Sequence, residues 1–136
     1  MFRLARRLTL LIGLLLVAGC GTTSDMPEVA PVRGKVTLNG KPLIMAKIIF
    51  APVEGGQSSE AVTNANGEYD LVYKRDIMGA KVGKHKVMIT TFELPEVTDD
   101  GKVLGGKPEL VPPQFNSQTT LEKEVKPEEN VIDFTL

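Results

Sequence analysis

Few residues of this 136-residue chain carry chemistry. There is one cysteine, Cys20, and one histidine, His85. A lone thiol cannot close an intrachain disulfide. A protein zinc site takes three or four side-chain ligands, and His85 has no cysteine or second histidine beside it. Its alternation with Val87 and Ile89 predicts a packed or rim imidazole, with a catalytic base or metal ligand as the alternative. Ser58 and Ser59 lie in a polar, glycine-rich stretch without a nucleophile-elbow pattern, and Ser117 lies in a proline-rich one, so no Ser-His-Asp arrangement is oriented. Glu93, Glu96, Asp99 and Asp100 cluster, but in one loop. Glycoside hydrolysis needs paired carboxylates on facing walls of a cleft. Solvated loop acids are the expectation, with a weak calcium site from Asp99, Asp100 and nearby carbonyls as the alternative. Asn64, Asn66 and Asp70 raise the same thought, but their spacing is not that of an EF-hand loop. Gly105-Gly106-Lys107 neither follows a strand nor opens a helix, so it is no phosphate cradle. Lys84 and Lys86 alternate outward like a solvated strand face, with Lys81 nearby. No catalytic residue, metal or cofactor is expected.

The position of Cys20 gives it a different role. Arg3, Arg6 and Arg7 form a basic start, and residues 8–18, LTLLIGLLLVA, are an uncharged apolar run. The run is shorter than the roughly 20 residues of a membrane span and has the length of a signal-peptide core. It ends Val17-Ala18-Gly19-Cys20, which resembles the lipobox of bacterial lipoproteins at all four positions. That resemblance implies cleavage between Gly19 and Cys20, diacylglyceryl transfer to the thiol, and usually fatty acylation (palmitate) of the new amino group. Two or more acyl chains suffice for stable attachment. The expected partner of the N-terminus is therefore a membrane. Gly21 stands where an aspartate would hint at inner-membrane retention, so the outer membrane or cell surface is favoured.

Removing residues 1–19 removes three arginines and no acid, taking the formal charge from −1 to −4. An acidic domain has no electrostatic reason to seek nucleic acid. Residues 20–31 form the lipidated N-terminus and a small, polar, proline-containing tether. Residues 32–136 form one domain, whose core must rest on Val, Ile and Leu because tryptophan is absent.

Period-two alternation sets in at Val32 and predicts seven strands: about Val32–Leu38, Ala46–Ala51, Glu60–Thr63, Glu68–Tyr73, Lys84–Phe92, Thr119–Val125 and Val131–Leu136. Asn39-Gly40 and Asn64-Ala65-Asn66-Gly67 supply turns. Residues 74–83 read as irregular. Residues 93–118 carry Pro95, Pro108, Pro112, Pro113 and three glycines, and a loop that long is either functional or locally disordered. No segment after Cys20 has a helical period, so the fold class is all-β, a seven-stranded antiparallel β-sandwich.

Three phrases carry a second resemblance. Val32-Arg33-Gly34-Lys35-Val36-Thr37-Leu38-Asn39-Gly40-Lys41-Pro42-Leu43, followed by Ala46, Ile48 and Phe50, resembles the first hairpin of the carboxypeptidase-regulatory-like domains, which are transthyretin-like sandwiches. Thr63-Asn64-Ala65-Asn66-Gly67-Glu68-Tyr69-Asp70-Leu71 is similar to that family's next phrase, with Asn64 for the usual Asp. Val82-Gly83-Lys84-His85-Lys86-Val87-Met88-Ile89 is similar to the third. The resemblance covers residues 32–92 and implies a fold and a non-catalytic habit without naming a ligand. The expectation is a lipid-anchored, non-enzymatic envelope module for adhesion or protein interaction. Its partner-binding loop is 93–118, with Glu93, Glu96, Asp99, Asp100 and Phe115 as candidate contacts. A carbohydrate-binding or transport accessory role is the alternative, with Phe92 and Phe115 as its only stacking candidates, so the partner is an envelope protein or a glycan.

Overall fold

The computed structural model describes residue 21 and residues 25–136. Cys20, Gly19 and the signal-peptide reading lie outside the described residues. The described chain is all-β, and its one helical turn is the 3-10 segment Pro113–Phe115. Among the described residues no helix is long and apolar enough to cross a membrane.

Alternation builds the long strands. In β2 (Val32–Leu38), after the short β1 (Val29–Ala30), Val32 and Val36 are buried while Arg33 and Lys35 face water. Asn39 and Gly40 take φ of 51° and 78° and reverse the chain into β3 (Lys41–Pro42), as a two-residue hairpin turn requires. β4 (Lys47–Pro52) buries Ile48 and Phe50, and β5 (Ser59–Val62) pairs antiparallel beside it. The predicted fourth strand is divided at buried Leu71. β6 (Glu68–Asp70) pairs with β2, whereas β7 (Val72–Lys74) pairs with β5. The strand thus passes from one sheet to the other, as corner strands of sandwiches do.

The stretch read as irregular holds β8 (Ile77–Met78) and β9 (Ala80–Lys81). β9 pairs with β1, and Val82 N–H donates to the Glu28 carbonyl at 2.9 Å. Val29 and Ala30, read as tether, therefore belong to the folded body. β10 (Gly83–Thr90) buries His85, Val87 and Ile89 on one face, as alternation predicts. After β10 the chain forms β11 (Glu96–Val97), β12 (Val103–Leu104), β13 (Glu122–Val125), β14 (Asn130–Val131) and β15 (Phe134–Thr135).

One sheet runs β13-β10-β4-β5-β7-β8, and the other centres on β2. β2 takes β3 and β6 as antiparallel partners but β14 and β15 as parallel ones. This corrects the expectation of seven antiparallel strands: the strands are shorter and more numerous, and the C-terminal one is parallel. The two sheets share one core. Val36, Tyr69 and Phe134 meet Ile48, Phe50, Val87, Ile89 and Val125. Phe134 stands edge-on to Phe50 with centroids 6.2 Å apart, an arrangement aromatic pairs favour.

Two glycines are required by close approach. A Cβ on Gly34 would lie 1.9 Å from the Ile132 carbonyl oxygen, so the C-terminal segment can run this close beside β2 only because residue 34 is glycine. Gly67, at φ 74°, would bring a Cβ to 2.6 Å from the Val36 oxygen. Tyr69 fixes the same approach by donating its phenol to the Ile132 carbonyl at 2.6 Å. Burial and the nearby Asp133 carboxylate hold that phenol's pKa far up, so it stays a donor.

Candidate functional site

β10 ends at Thr90, and the chain beyond it forms an ordered arm rather than a structureless loop. β11 and β12 form a two-stranded hairpin in which Glu96 opposes Leu104 and Val97 opposes Val103. Its turn is closed by Thr98 N–H to the Lys102 carbonyl at 2.9 Å and by Gly101 N–H to the Thr98 carbonyl at 2.8 Å. At its base Glu93 and Lys107 exchange backbone hydrogen bonds of 3.1 and 2.9 Å, and their side chains pair at 2.7 Å.

Glu109 clamps the returning chain. Its carboxylate accepts from Thr91 N–H and Val111 N–H, each at 3.0 Å, and from the hydroxyls of Thr90 and Thr91. Desolvation would raise its pKa, but these donors outweigh it and hold the carboxyl below its usual value. Val111 then plugs into the core. Asn116 Nδ2 is placed to donate to the carbonyls of Ile89, Val111 and Pro112 at 3.1–3.3 Å. Thr119 Oγ1 donates to the Val87 carbonyl at 2.7 Å. The segment 108–119 is thus tied to β10 by side-chain hydrogen bonds where a regular strand would use its backbone.

The expected contact residues do not share one role. Glu93 is spent on Lys107, and Asp100 pairs with Lys102 at 3.2 Å while accepting from Thr98. Those hydrogen bonds hold the Asp100 carboxyl below its usual pKa. Glu96 and Asp99 are exposed and, among the described residues, have no ion-pair partner. Phe115, expected on the contact surface, is instead half-buried in the 3-10 turn and packs on the core. That leaves Phe92 as the exposed ring of the two. The residues that reasoning from sequence missed are apolar. Leu94, Val97, Val103 and Leu104 are 74%, 68%, 65% and 51% exposed. The signal was present in Asp100-Gly101, a hairpin turn pair flanked by Val97 and Val103.

The remaining groups that could do chemistry lie apart from one another. His85 is 1% exposed, its Nδ1–H donates to the Gly83 carbonyl at 3.1 Å, and its ring lies 5.7 Å from Phe50. Burial pushes its pKa below the usual value; the Gly83 hydrogen bond opposes this and Lys81 adds to it. His85 Nε2 and buried Ser59 Oγ both lack hydrogen-bond partners, so they are not bonded to each other. Ser58 is half-buried and Ser117 exposed. Asn64 Oδ1 accepts from Asn66 N–H and Glu68 N–H, which spends it on the turn. Among the described residues no group of three His, Cys, Asp or Glu side chains is placed to hold a metal ion.

No family model matches the sequence, and no curated protein matches it. Among solved structures the chain is similar to part of a 9R-lipoxygenase from Cyanothece, at 12% identity and a TM-score of 0.47. The match covers 83% of this chain and 17% of that one, so the chain spans a small fraction of the protein it resembles.

Proposed function

We propose that this chain is a lipid-anchored, non-catalytic interaction module of the bacterial cell envelope. In this reading it is cleaved before Cys20, acylated there, and built on a transthyretin-like sandwich that presents the 93–107 arm to a protein partner. The observation that carries the reading is the arm. A two-stranded hairpin is marginal on its own in water. This one is fastened at its base yet leaves four aliphatic side chains more than half exposed. Grouped apolar exposure on a soluble body marks an interaction surface. Long segments on rigid sandwiches commonly carry function. The inward packing of Phe115 weakens the carbohydrate alternative, because one exposed ring makes a poor stacking platform.

The test is capture from chemically cross-linked cells with three tagged copies: wild type, Cys20→Ala, and an arm variant with Val97→Ser and Val103→Ser. A defined envelope protein should come with the wild type and fall about tenfold or more with the arm variant. The Cys20→Ala copy should leave the membrane fraction. Equal capture by wild type and arm variant sinks the arm reading, and unchanged membrane fractionation of Cys20→Ala sinks the anchor.

A further inference from the structure

We infer that the arm's partner is a second copy of this chain, docked about a two-fold axis along the long dimension of the sandwich. The inference rests on the reading of the arm as a docking element. Three observations favour a like partner.

The first is a receptor beside the arm. A groove of about 280 Å³ opens at its base, floored by Met45, Val62 and Phe92, which are 53%, 55% and 53% exposed. Its rim charges are already neutralised, Lys47 by Glu60 at 2.9 Å and Lys107 by Glu93 at 2.7 Å. An apolar groove with a balanced rim suits an uncharged aliphatic surface, and Val97 facing Val103 offers one. Arm and groove are neighbours on one molecule, so a two-fold axis between copies seats each arm on the other's groove at once. Such reciprocity defines an isologous interface.

The second is area. The paired Val97 and Val103 share one face of the arm, and with the three apolar side chains of the groove each is more than half exposed. At on the order of 100 Å² apiece the burial of these five removes roughly 500 Å² per copy, or about 1,000 Å² in total, the lower bound of a specific interface.

The third is polarity. The chain enters the body at Glu28, beside the Gly83 end of β10, and the arm leaves beyond its Thr90 end. At ~3.4 Å per residue those ends lie about 24 Å apart. A two-fold axis parallel to β10 keeps both N-terminal segments on one side and both arms on the other. Two copies anchored in one membrane can therefore form the pair, and confinement to that membrane raises their effective concentration.

The experiment uses the chain from residue 20 onward with Cys20→Ser, which leaves no native thiol. Sedimentation equilibrium at rising concentration should show a doubling of mass. The Val97→Ser/Val103→Ser variant should dissociate about tenfold more readily or worse, and its circular dichroism spectrum should match the wild type's because both positions are exposed in the single chain. Mixed chains carrying Val103→Cys and Val62→Cys separately should form the crossed disulfide more readily than either forms the like one. A monomer at every concentration overturns the inference, as does a dimer that the arm variant leaves intact. If the wild type is monomeric while arm-dependent capture persists in cells, the arm docks a different protein: the proposed function stands and the second copy is excluded.

Discussion

At the scale of the residue, the molecule's one imidazole is structural. His85 sits beside Phe50 with Nε2 unpartnered, and the charge acting on it is that of Lys81, not of a carboxylate. Its folded-state pKa lies below 6.5, so the unfolded chain binds the proton more readily. Stability then falls as pH drops through about 6.5, and this contribution is fully lost below the folded-state value. Urea unfolding between pH 8 and pH 5 should show a declining midpoint, and His85→Phe should flatten the decline. A wild-type midpoint flat over that range, or an unchanged slope in the variant, would show that the imidazole is not the titrating group. Parity with Val87 and Ile89 put His85 on the inward face but left a packed and a rim position open, and the structure buries it. The inward turn of Phe115 was not legible, because nothing in a proline-rich run gives a period to read. Glu109 was equally hidden: its role comes from the N–H groups of Thr91 and Val111, which only the returning chain brings to it.

At the scale of the element, alternation revealed the strands and concealed their partners. β2, β4 and β10 bury one face each, so period two marked them. Tyr69, Leu71 and Tyr73 keep the same parity while the strand changes sheets, so the break at Leu71 leaves no trace in the pattern. The parallel pairing of β14 and β15 depends on contacts about a hundred residues apart, between Gly34 and Ile132, which local sequence cannot reveal. That close approach makes a direct prediction. Gly34→Ala forces a methyl against the Ile132 carbonyl and should cost about 3 kcal/mol, the upper range for overpacking. Denaturant titration would measure the loss, and amide hydrogen exchange should show it concentrated in residues 130–136. A variant as stable as the wild type would mean that the C-terminal segment does not lie where β14 and β15 place it. The arm escaped prediction for a different reason. Its apolar residues are not buried by the body, so they show no core-facing stripe.

At the scale of the whole molecule, the sandwich separates two ends. The N-terminal segment arrives at one pole of β10, and the arm projects beyond the other. In the proposed reading the work falls to the arm's aliphatic surface. The most direct measurement places a photo-activated cross-linking residue at Val103 in one copy and at Val131 in another. Both sites are well exposed, at 65% and 64%, but Val131 lies on β14, away from the arm. A discrete cross-linked protein species is expected in cells from position 103, with only diffuse background from position 131. Discrete species from 131 alone, or equally from both, would contradict the claim that the arm is the working surface.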